Sequence, residues 1–468
     1  MDDTRVYVLQ NRWKLEGRYL QYYGLRNRER MFQNRVKLSV AQRTVIAALP
    51  KALDEREKKL LKKLLGDQIV CREQQRATPR RLEDARFCTI CCANDFMIPG
   101  LEFDEQGRCP LCQTADETAS LKSVVPLIRT VPRAKKSRFD IAVFYTGGKD
   151  STFLLYYLAK VQHLRVLALT WELPFMSDCA RRSIEGAKRT LPNVEFIARY
   201  VSTADLQRVY RALYALSGNT CPSLAYVLFY PELVANRVPY FVLGNEPVQM
   251  LGLYYNHIAP RIAYSFADNK LLAMLLNMGR VLTLHPPLKR GQWQTLLTMK
   301  QLAYGANPLQ KLSGYTNELV GNVVKAIQTV PELLQPLKSS IRRSSWSGHI
   351  PAFVHFDFDE ICQGTYDWDR VKDLLIRECG WVAPDVAKKA LHTSCQIERC
   401  KDQTQFRRFY HCESTMIPFS ALETALASRR CGRSREDMML EMKHCLGFSL
   451  EDLPECAVMR WYVEDGTL

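Results

Sequence analysis

The sequence has no long apolar run, little histidine and no leader pattern, and each absence excludes a class of protein. No apolar stretch reaches the roughly 18 residues of a membrane-spanning helix. The first residues, MDDTRVYVLQNRWK, lack the charged-then-apolar order of a secretory signal. We therefore expect a cytoplasmic protein that does not contact membranes. Its 16 cysteines should then be metal ligands, reactive thiols and packing residues, because structural disulfides are rare in that compartment.

The chain is long and basic, and the positive charge is concentrated near its start. Its 468 residues exceed one ordinary core, which predicts two or three folded units. Residues 1–87 hold 21 Lys/Arg against 11 Asp/Glu, out of a net charge of +16. Clustered charge of this kind suits a polyanion, tRNA in particular. Acidic residues are interleaved with the basic ones in DEREKKLLKK, however, so a solvated helical surface explains the same composition.

A strand, a tight loop and a helix are predicted over residues 139–160, FDIAVFYTGGKDSTFLLYYLAK. The two adjacent glycines let the backbone approach a ligand closely, and the first N–H groups of the helix point at it with the positive end of the helix dipole. Lys149 adds a full positive charge, and nearby hydroxyls can donate to phosphate oxygens. The loop is therefore expected to bind a phosphate-sized anion.

The spacing of this loop excludes a Walker A motif, since Val143 stands where the first glycine is needed and Asp150 follows the lysine. Instead, the loop resembles the Ser-Gly-Gly-x-Asp-Ser signature of the N-type ATP pyrophosphatases, or PP-loop enzymes, with Thr146 in place of the usual serine. That superfamily cleaves ATP between the α and β phosphates. The resemblance implies ATP and Mg²⁺ as cofactors and a sheet with ATP at the carboxyl ends of its strands. The ATP-binding residues that it implies are Tyr145, Thr146, Gly147, Gly148, Lys149, Asp150, Ser151, Thr152, Thr170 and Trp171.

Two Cys-x2-Cys pairs precede the loop. Cys88 and Cys91 form the first pair and Cys109 and Cys112 the second, with seventeen residues between Cys91 and Cys109. This is the spacing of a four-thiolate structural zinc ribbon. Cys92 leaves the ligand choice in the first pair open. A catalytic zinc usually has a histidine ligand and an open position, and no histidine occurs between residues 1 and 162, so we expect the zinc to be structural.

The order of ribbon and loop is similar to that of the N-acetyl sugar amidotransferases of bacterial surface-polysaccharide synthesis. The matched residues are Cys88, Cys91, Pro99, Phe103, Asp104, Gly107, Cys109 and Cys112, followed by the loop at 146–151. The resemblance implies that the acetamido oxygen of a nucleotide-linked sugar is adenylated and that ammonia then displaces AMP. The ammonia would come from a separate glutaminase subunit, since the chain carries no glutaminase signature. One departure is Lys149, because those enzymes usually carry a small apolar residue there.

The alternative is sulfur transfer to a small molecule or a tRNA, since lysine at position 149 is common in sulfur-inserting PP-loop enzymes. Cys221 lies about where PP-loop thiolation enzymes place a sulfur-carrying cysteine. There it would receive a persulfide from a cysteine desulfurase, with Cys395 or Cys400 as a resolving thiol. A packing role explains Cys221 equally well. His392, Cys395 and Cys400 could also be structural residues or metal ligands.

The other catalytic candidates are charged residues at the ends of predicted strands. Lys149 would stabilise the negative charge of the leaving pyrophosphate, and Asp150 would hold Mg²⁺ or cap the helix. By the resemblance, Glu246 in the Gly244-Asn245-Glu246 turn would face the substrate, although an ordinary helix-start carboxylate fits the same position.

The predicted fold class is α/β, with a parallel-sheet PP-loop ATPase domain as its centre. The segments RVLALTW, VEFIARYV and PYFVLGN read as further strands that alternate with helices. The predicted regions are a basic helical N-terminal extension (1–80), a zinc ribbon (86–114), a PP-loop domain (138–265) and a mostly helical C-terminal substrate region (266–468). Within the last region, residues 338–348 are expected to form a loop whose basic side chains contact phosphate.

Overall fold

The computed structural model of the protein describes residues 6–25, 35–66, 69–75, 79–113, 127–217, 224–256, 270–306, 318–385, 394–447 and 450. Cys221 and His392 lie outside these residues. The chain divides into two compact units: the first holds Met1–Ala115, Asp402–Arg429 and Ser434–Leu453, and the second holds Asp116–Lys401, Arg430–Arg433 and Pro454–Leu468. Each helix in the described part of the chain is too short or too polar to cross a bilayer.

The first unit begins with two small antiparallel sheets and two helices. The strands are β1 (Val6–Leu9), β2 (Trp13–Glu16), β3 (Tyr19–Tyr22), β4 (Arg35–Lys37), β5 (Lys51–Ala52) and β6 (Val70–Arg72), and the helices are α1 (Val40–Ala47) and α2 (Glu55–Leu61). The sheet orders are β5-β1-β6 and β2-β3-β4. Ser39 and Asp54 cap the two helices. The expectation of a helical extension over 1–80 is thus corrected: its aromatic and β-branched residues, such as Trp13 and Tyr22, pair in strands and pack in a shared core.

The second unit contains a five-stranded parallel sheet of order β11-β10-β7-β8-β9. Its strands are β7 (Ile141–Phe144), β8 (Val166–Trp171), β9 (Val194–Arg199), β10 (Tyr240–Leu243) and β11 (Ala352–Phe353). Every residue of the central strand β7 is buried, because helices cover both faces of such a sheet and its strands become continuous apolar runs. The predicted α/β class with a parallel sheet is confirmed.

Helices make up most of the rest of the second unit. They are α3 (Lys149–Tyr156), α4 (Asp178–Thr190), α5 (Thr203–Ser217), α6 (Ala225–Ala235), α7 (Pro247–Tyr255), α8 (Lys270–Leu282), α9 (Arg290–Tyr304), α10 (Glu318–Ile327), α11 (Pro331–Ser347), α12 (Phe358–Ile361) and α13 (Trp368–Cys379). The predicted loop at 338–348 is wrong, because α11 continues to Ser347 and ends at Gly348. Leu334, Leu337, Ile341 and Ser344 form its buried face at helical spacing.

Three helices follow in the C-terminal part of the described chain: α14 (Glu398–Tyr410), α15 (Phe419–Ala427) and α16 (Arg435–Leu446). Ser434 caps α16 with a complete capping box, and Gly447 follows its last turn. Both α15 and α16 belong to the first unit. The domain limits drawn from the sequence stay predictions.

Candidate functional site

The loop between β7 and α3 is held against the neighbouring strand by its backbone. The N–H of Tyr145 donates to the carbonyl of Leu169 on β8 at 2.8 Å. Gly147 has a φ of +74°, and a Cβ at this position would lie 2.5 Å from the carbonyl oxygen of Ala180 on α4. Only glycine fits a position with both constraints. The loop therefore passes tightly under α4 as it leaves the carboxyl end of β7.

Hydroxyl groups organise the start of α3. Gly148 is the N-cap residue, and its carbonyl accepts a hydrogen bond from the Thr152 hydroxyl at 2.8 Å. The Thr146 hydroxyl accepts from the Gly148 amide at 3.3 Å and lies 3.2 Å from the Ser151 hydroxyl. The first N–H groups of a helix have no partner within that helix. Together with the hydroxyls they give this loop the donors that a phosphate group needs.

The turn after β10 packs directly on the first turn of α3. A Cβ on Gly244 would lie 2.3 Å from the Cα of Ser151, so the two backbones are in contact there. The adjacent strands β7 and β10 end at the same edge of the sheet. This contact brings Glu246 to the loop, where the sequence placed it.

Lys149, Asp150 and Glu246 form a buried ionic cluster. The Lys149 ammonium pairs with the Asp150 carboxylate and lies 3.7 Å from the Glu246 carboxylate. The three side chains are 15%, 15% and 3% exposed. Burial lowers the pKa of Lys149, but the negative charges of Asp150 and Glu246 outweigh it, so the net pKa is raised above its ordinary value. Lys149 therefore remains an ammonium at neutral pH.

Three residues that the sequence analysis missed complete this cluster. The Tyr366 hydroxyl donates to Asp150 at 2.8 Å, and the Trp368 indole N–H donates to Glu246 at 2.6 Å. The Cys431 thiol also donates to Glu246, at 3.6 Å. The backbone N–H of Trp368 binds the carbonyl of Cys431 at 3.0 Å. No spacing rule joins positions this far apart in the sequence.

The carboxyl end of β8 offers buried polar groups beside a cavity. Among the described residues, the Thr170 hydroxyl and the Trp171 indole nitrogen are buried without a hydrogen-bond partner. An unpaired buried polar group costs free energy unless a ligand satisfies it. A cavity of about 560 Å³ is lined by residues that include Thr170, Glu172, Arg181, Lys188 and Phe196. Thr170 lines this cavity, so its hydroxyl is placed to bind the base or sugar of a nucleotide whose phosphates occupy the loop.

Of the predicted reactive cysteines, one lies near this edge of the sheet. The N–H of Ser177 donates to the carbonyl of Ser394 at 3.1 Å, and that of Gln396 donates to the carbonyl of Phe175 at 3.0 Å. These bonds flank Cys395, so it lies against the segment that follows β8. Cys400 is buried. Cys221, the predicted sulfur carrier, lies outside the described residues.

In the first unit, the four predicted ligand cysteines come together. The sulfur atoms of Cys88, Cys91, Cys109 and Cys112 all lie within 4.8 Å of one another. Cys88 and Cys112 are 3.7 Å apart, and Cys91 and Cys109 are 3.6 Å apart. Cys92 lies outside the group and contacts Thr424 and Ser428 on α15 instead. The structure thus selects Cys91 over Cys92.

Backbone amides and a distant arginine support the cysteine cluster. The N–H groups of Ile90 and Cys109 donate to the Cys88 sulfur at 3.4 and 3.3 Å, and that of Ala93 donates to the Cys91 sulfur at 3.4 Å. Arg435 on α16 donates to the carbonyls of Cys88 and Cys91. Amide donation stabilises thiolate ligands and fixes their orientation. The spacing of the cysteines gave no indication of the arginine.

The spacing of the sulfurs indicates which kind of metal group they could hold. A single zinc ion with Zn–S bonds of about 2.3 Å in a tetrahedron places its sulfurs roughly 3.8 Å apart. In a [4Fe–4S] cluster each thiolate binds a different iron atom, so the sulfurs lie farther from one another. The closest separations here, 3.6 and 3.7 Å, fit one four-coordinate ion.

No family model matches the chain, and no curated protein matches it. Among solved structures, the chain is similar to the U34-tRNA thiolase NcsA from Methanococcus maripaludis with its [4Fe-4S] cluster, at 14% sequence identity and a TM-score of 0.20. The match covers 56% of this chain and 86% of the thiolase chain. A similarity this weak does not assign a reaction.

Proposed function

We propose that the protein is an ATP pyrophosphatase of the PP-loop type, which adenylates an oxygen atom of its substrate. The observation that carries this proposal is the juxtaposition of two features at one edge of the sheet. The donor-rich loop Thr146-to-Ser151 follows β7, and the unpaired groups of Thr170 and Trp171 end the adjacent strand β8. A nucleotide lying across both would place its phosphates on α3 and its base at β8.

In the proposed reaction, a carbonyl or amide oxygen of the substrate attacks the α-phosphorus of ATP. The bond from that phosphorus to the oxygen bridging to the β-phosphate breaks, and pyrophosphate leaves. The loop amides and Lys149 stabilise the charge that develops on the leaving group. Mg²⁺ would supply further positive charge, and Asp150 and Glu246 offer the carboxylate oxygens that it prefers. A nucleophile then attacks the activated carbon, and AMP departs with the former substrate oxygen.

We favour sulfur over nitrogen as the transferred atom, because Lys149 occupies the loop position at which sulfur-inserting PP-loop enzymes commonly carry lysine, and Cys395 lies beside the segment after β8. The terminal sulfur of a persulfide, supplied by a cysteine desulfurase to Cys221 or Cys395, would attack the activated carbon and displace AMP. A second thiol would then break the S–S bond, which leaves sulfur on the product and a disulfide in the protein. A cellular thiol would reduce that disulfide. The substrate would be a tRNA, bound with help from the basic residues 1–87, or a small molecule.

Nitrogen transfer is the second candidate, and the thiolate cluster ahead of the loop favours it. A four-cysteine ribbon followed by a PP-loop is the order of elements that makes the chain similar to the N-acetyl sugar amidotransferases. Ammonia from a glutaminase partner would then attack the activated acetamido carbon of a nucleotide-linked sugar. In either case we propose that the cluster of four cysteines holds one structural zinc ion, because its sulfur spacing fits a single tetrahedral ion.

The test is to incubate the protein with ATP labelled on the α-phosphate and with either bulk tRNA or a nucleotide-linked N-acetyl sugar. We expect labelled AMP and free pyrophosphate, whereas labelled ADP would refute the adenylation proposal. Cys221→Ser and Cys395→Ser then separate the two branches. Sulfur transfer predicts that AMP still forms while the thiolated product is lost in one of the variants. Nitrogen transfer predicts normal product formation with ammonia in both.

A further inference from the structure

A second cavity lies on the helices of the second unit, at residues that the loop site does not use. It has a volume of about 730 Å³ and is lined by His285, Lys300, Tyr304, Arg342 and Trp346, together with smaller side chains. Tyr304 ends α9, and Arg342 and Trp346 lie on α11. We refer to it as the α9–α11 cavity.

The electrostatic field of this cavity is positive. Its lining residues include two basic side chains, Lys300 and Arg342, and no carboxylate. Residues 270–306 contain five Lys/Arg and neither Asp nor Glu. One of these cations, Arg280, is buried, and it donates to the carbonyl of Ser345 at 2.7 Å directly behind the cavity wall. An anionic ligand would therefore be attracted here.

Lys300 is the more buried of these two basic residues. Its side chain is half-buried, and burial together with the nearby charge of Arg280 lowers its pKa. Within the described part of the chain, no carboxylate forms an ion pair with it. A partly desolvated ammonium is costly unless an anion pairs with it. A bound phosphate would provide that pairing.

Two exposed aromatic rings flank the same cavity. Trp346 is 61% exposed and Tyr304 is 50% exposed. The His285 ring packs edge-on against Trp346 with centroids 5.1 Å apart, which holds the indole in place. Exposed aromatic rings beside cationic side chains are the arrangement with which proteins stack nucleobases and bind the attached phosphates.

We propose that the α9–α11 cavity binds a nucleoside phosphate, with its base stacked on Trp346 and its phosphate paired with Lys300 and Arg342. The same chemistry could be presented by a free nucleotide, including the nucleotide part of a nucleotide-linked small molecule, or by one nucleotide of an RNA strand. The cavity shares no lining residue with the loop, so this proposal stands whether or not the loop cleaves ATP.

Binding can be measured on the full chain with two probes, a fluorescein-labelled single-stranded octauridylate followed by anisotropy and uridine 5′-monophosphate as its competitor. Trp346→Ala should weaken binding about tenfold or more, the usual cost of losing one stacked base. Arg342→Gln should weaken binding and reduce the slope of log K against log salt by about 1. Arg343→Gln is the matched control, because Arg343 is the exposed neighbour of Arg342 on α11 and does not line the cavity. It should bind nearly as the unaltered protein does.

The outcomes separate the two ligand sources and the two proposals. Full competition by the mononucleotide identifies a free nucleotide as a sufficient ligand, and binding of the octamer alone identifies an RNA strand. Loss of AMP formation with nucleotide binding intact would count against the loop proposal and not against this one. Binding of neither probe would overturn the cavity proposal. Equal effects of Arg342→Gln and Arg343→Gln, or unchanged binding in Trp346→Ala, would overturn it as well.

Discussion

The cysteine cluster and the loop site are assembled in opposite ways. All four sulfur ligands come from the short stretch Cys88 to Cys112, and local turns bring them within 4.8 Å. The loop site instead joins Lys149 to Glu246, Trp368 and Cys431, which lie far apart in the sequence. A site built from one stretch can be recognised from residue spacing, whereas a site built by tertiary packing requires the structure.

We expect the largest effect from a substitution in the cysteine cluster, which is built from one stretch of the sequence. Cys109→Ser removes one of the four ligands. Structural zinc contributes roughly 10 kcal/mol or more to the folding of small domains. This contribution is comparable to the total stability of a protein domain, about 5–15 kcal/mol. We expect loss of the metal and unfolding or aggregation, measured by metal analysis and circular dichroism. Cys92→Ala is the control, because this adjacent buried thiol is not a ligand and its loss should spare the metal. A folded Cys109→Ser protein with a full equivalent of zinc would contradict the assignment.

The loop itself gives the next largest effect. Gly147→Ala forces a Cβ into the carbonyl of Ala180 at 2.5 Å and requires a φ of +74° from alanine, so the loop must distort. We expect ATP affinity and AMP formation to fall below detection while the rest of the unit stays folded.

Gly148→Ala is the milder comparison, since its Cβ would meet only the Thr146 hydroxyl, at 3.3 Å, and its φ is an ordinary −73°. The melting temperature of Gly148→Ala should therefore lie closer to that of the unaltered protein than the melting temperature of Gly147→Ala does. Equal loss of stability in both variants would show that the loop does not hold Gly147 as described.

Features built from one stretch of the chain could be predicted from the sequence, and features that depend on tertiary packing could not. The Gly147-Gly148 turn and the two Cys-x2-Cys pairs are local patterns, and the structure has both where the sequence predicted them. The strands between residues 10 and 80 were missed because each has only two to four residues, too few to show a clear alternation of apolar and polar positions. The helix at 338–347 was mistaken for a loop because its serines dominate the composition, although Ile341 and Ser344 continue the buried face.

Trp368→Phe tests whether a residue distant in the sequence from the loop contributes to the loop site. It removes the indole donor 2.6 Å from Glu246 and keeps most of the ring volume. A hydrogen bond to a charged group contributes about 1.5–3 kcal/mol, so we expect AMP formation to fall roughly 10- to 150-fold.

Trp293→Phe removes a longer, partly buried indole hydrogen bond, to the neutral side chain of Asn277 at 3.2 Å, at a position outside the loop site. It should leave AMP formation near its original rate in the same assay. If the two variants lose activity equally, Trp368 acts only through general stability.

The smallest effect concerns the single distant contact of the cysteine cluster. Arg435→Gln removes the donors to the carbonyls of Cys88 and Cys91 but no metal ligand. We expect full metal content and a loss of about 1–2 kcal/mol in the free energy of unfolding, seen as a modest fall in melting temperature. Lys443→Gln, an exposed change on the same helix, should have almost no effect. Loss of metal from Arg435→Gln would mean that this cluster also depends on distant packing.

The central claim is that ATP activates an oxygen of the substrate, and the source of the oxygen in AMP tests it most directly. The reaction is run in ¹⁸O-labelled water with the substrate that supports AMP formation. The ¹⁸O content of AMP and of pyrophosphate is then measured by mass spectrometry. We expect that neither product contains ¹⁸O, because the oxygen that joins the α-phosphorus comes from the substrate. Water-derived ¹⁸O in AMP or pyrophosphate would show simple hydrolysis of ATP and would refute substrate adenylation.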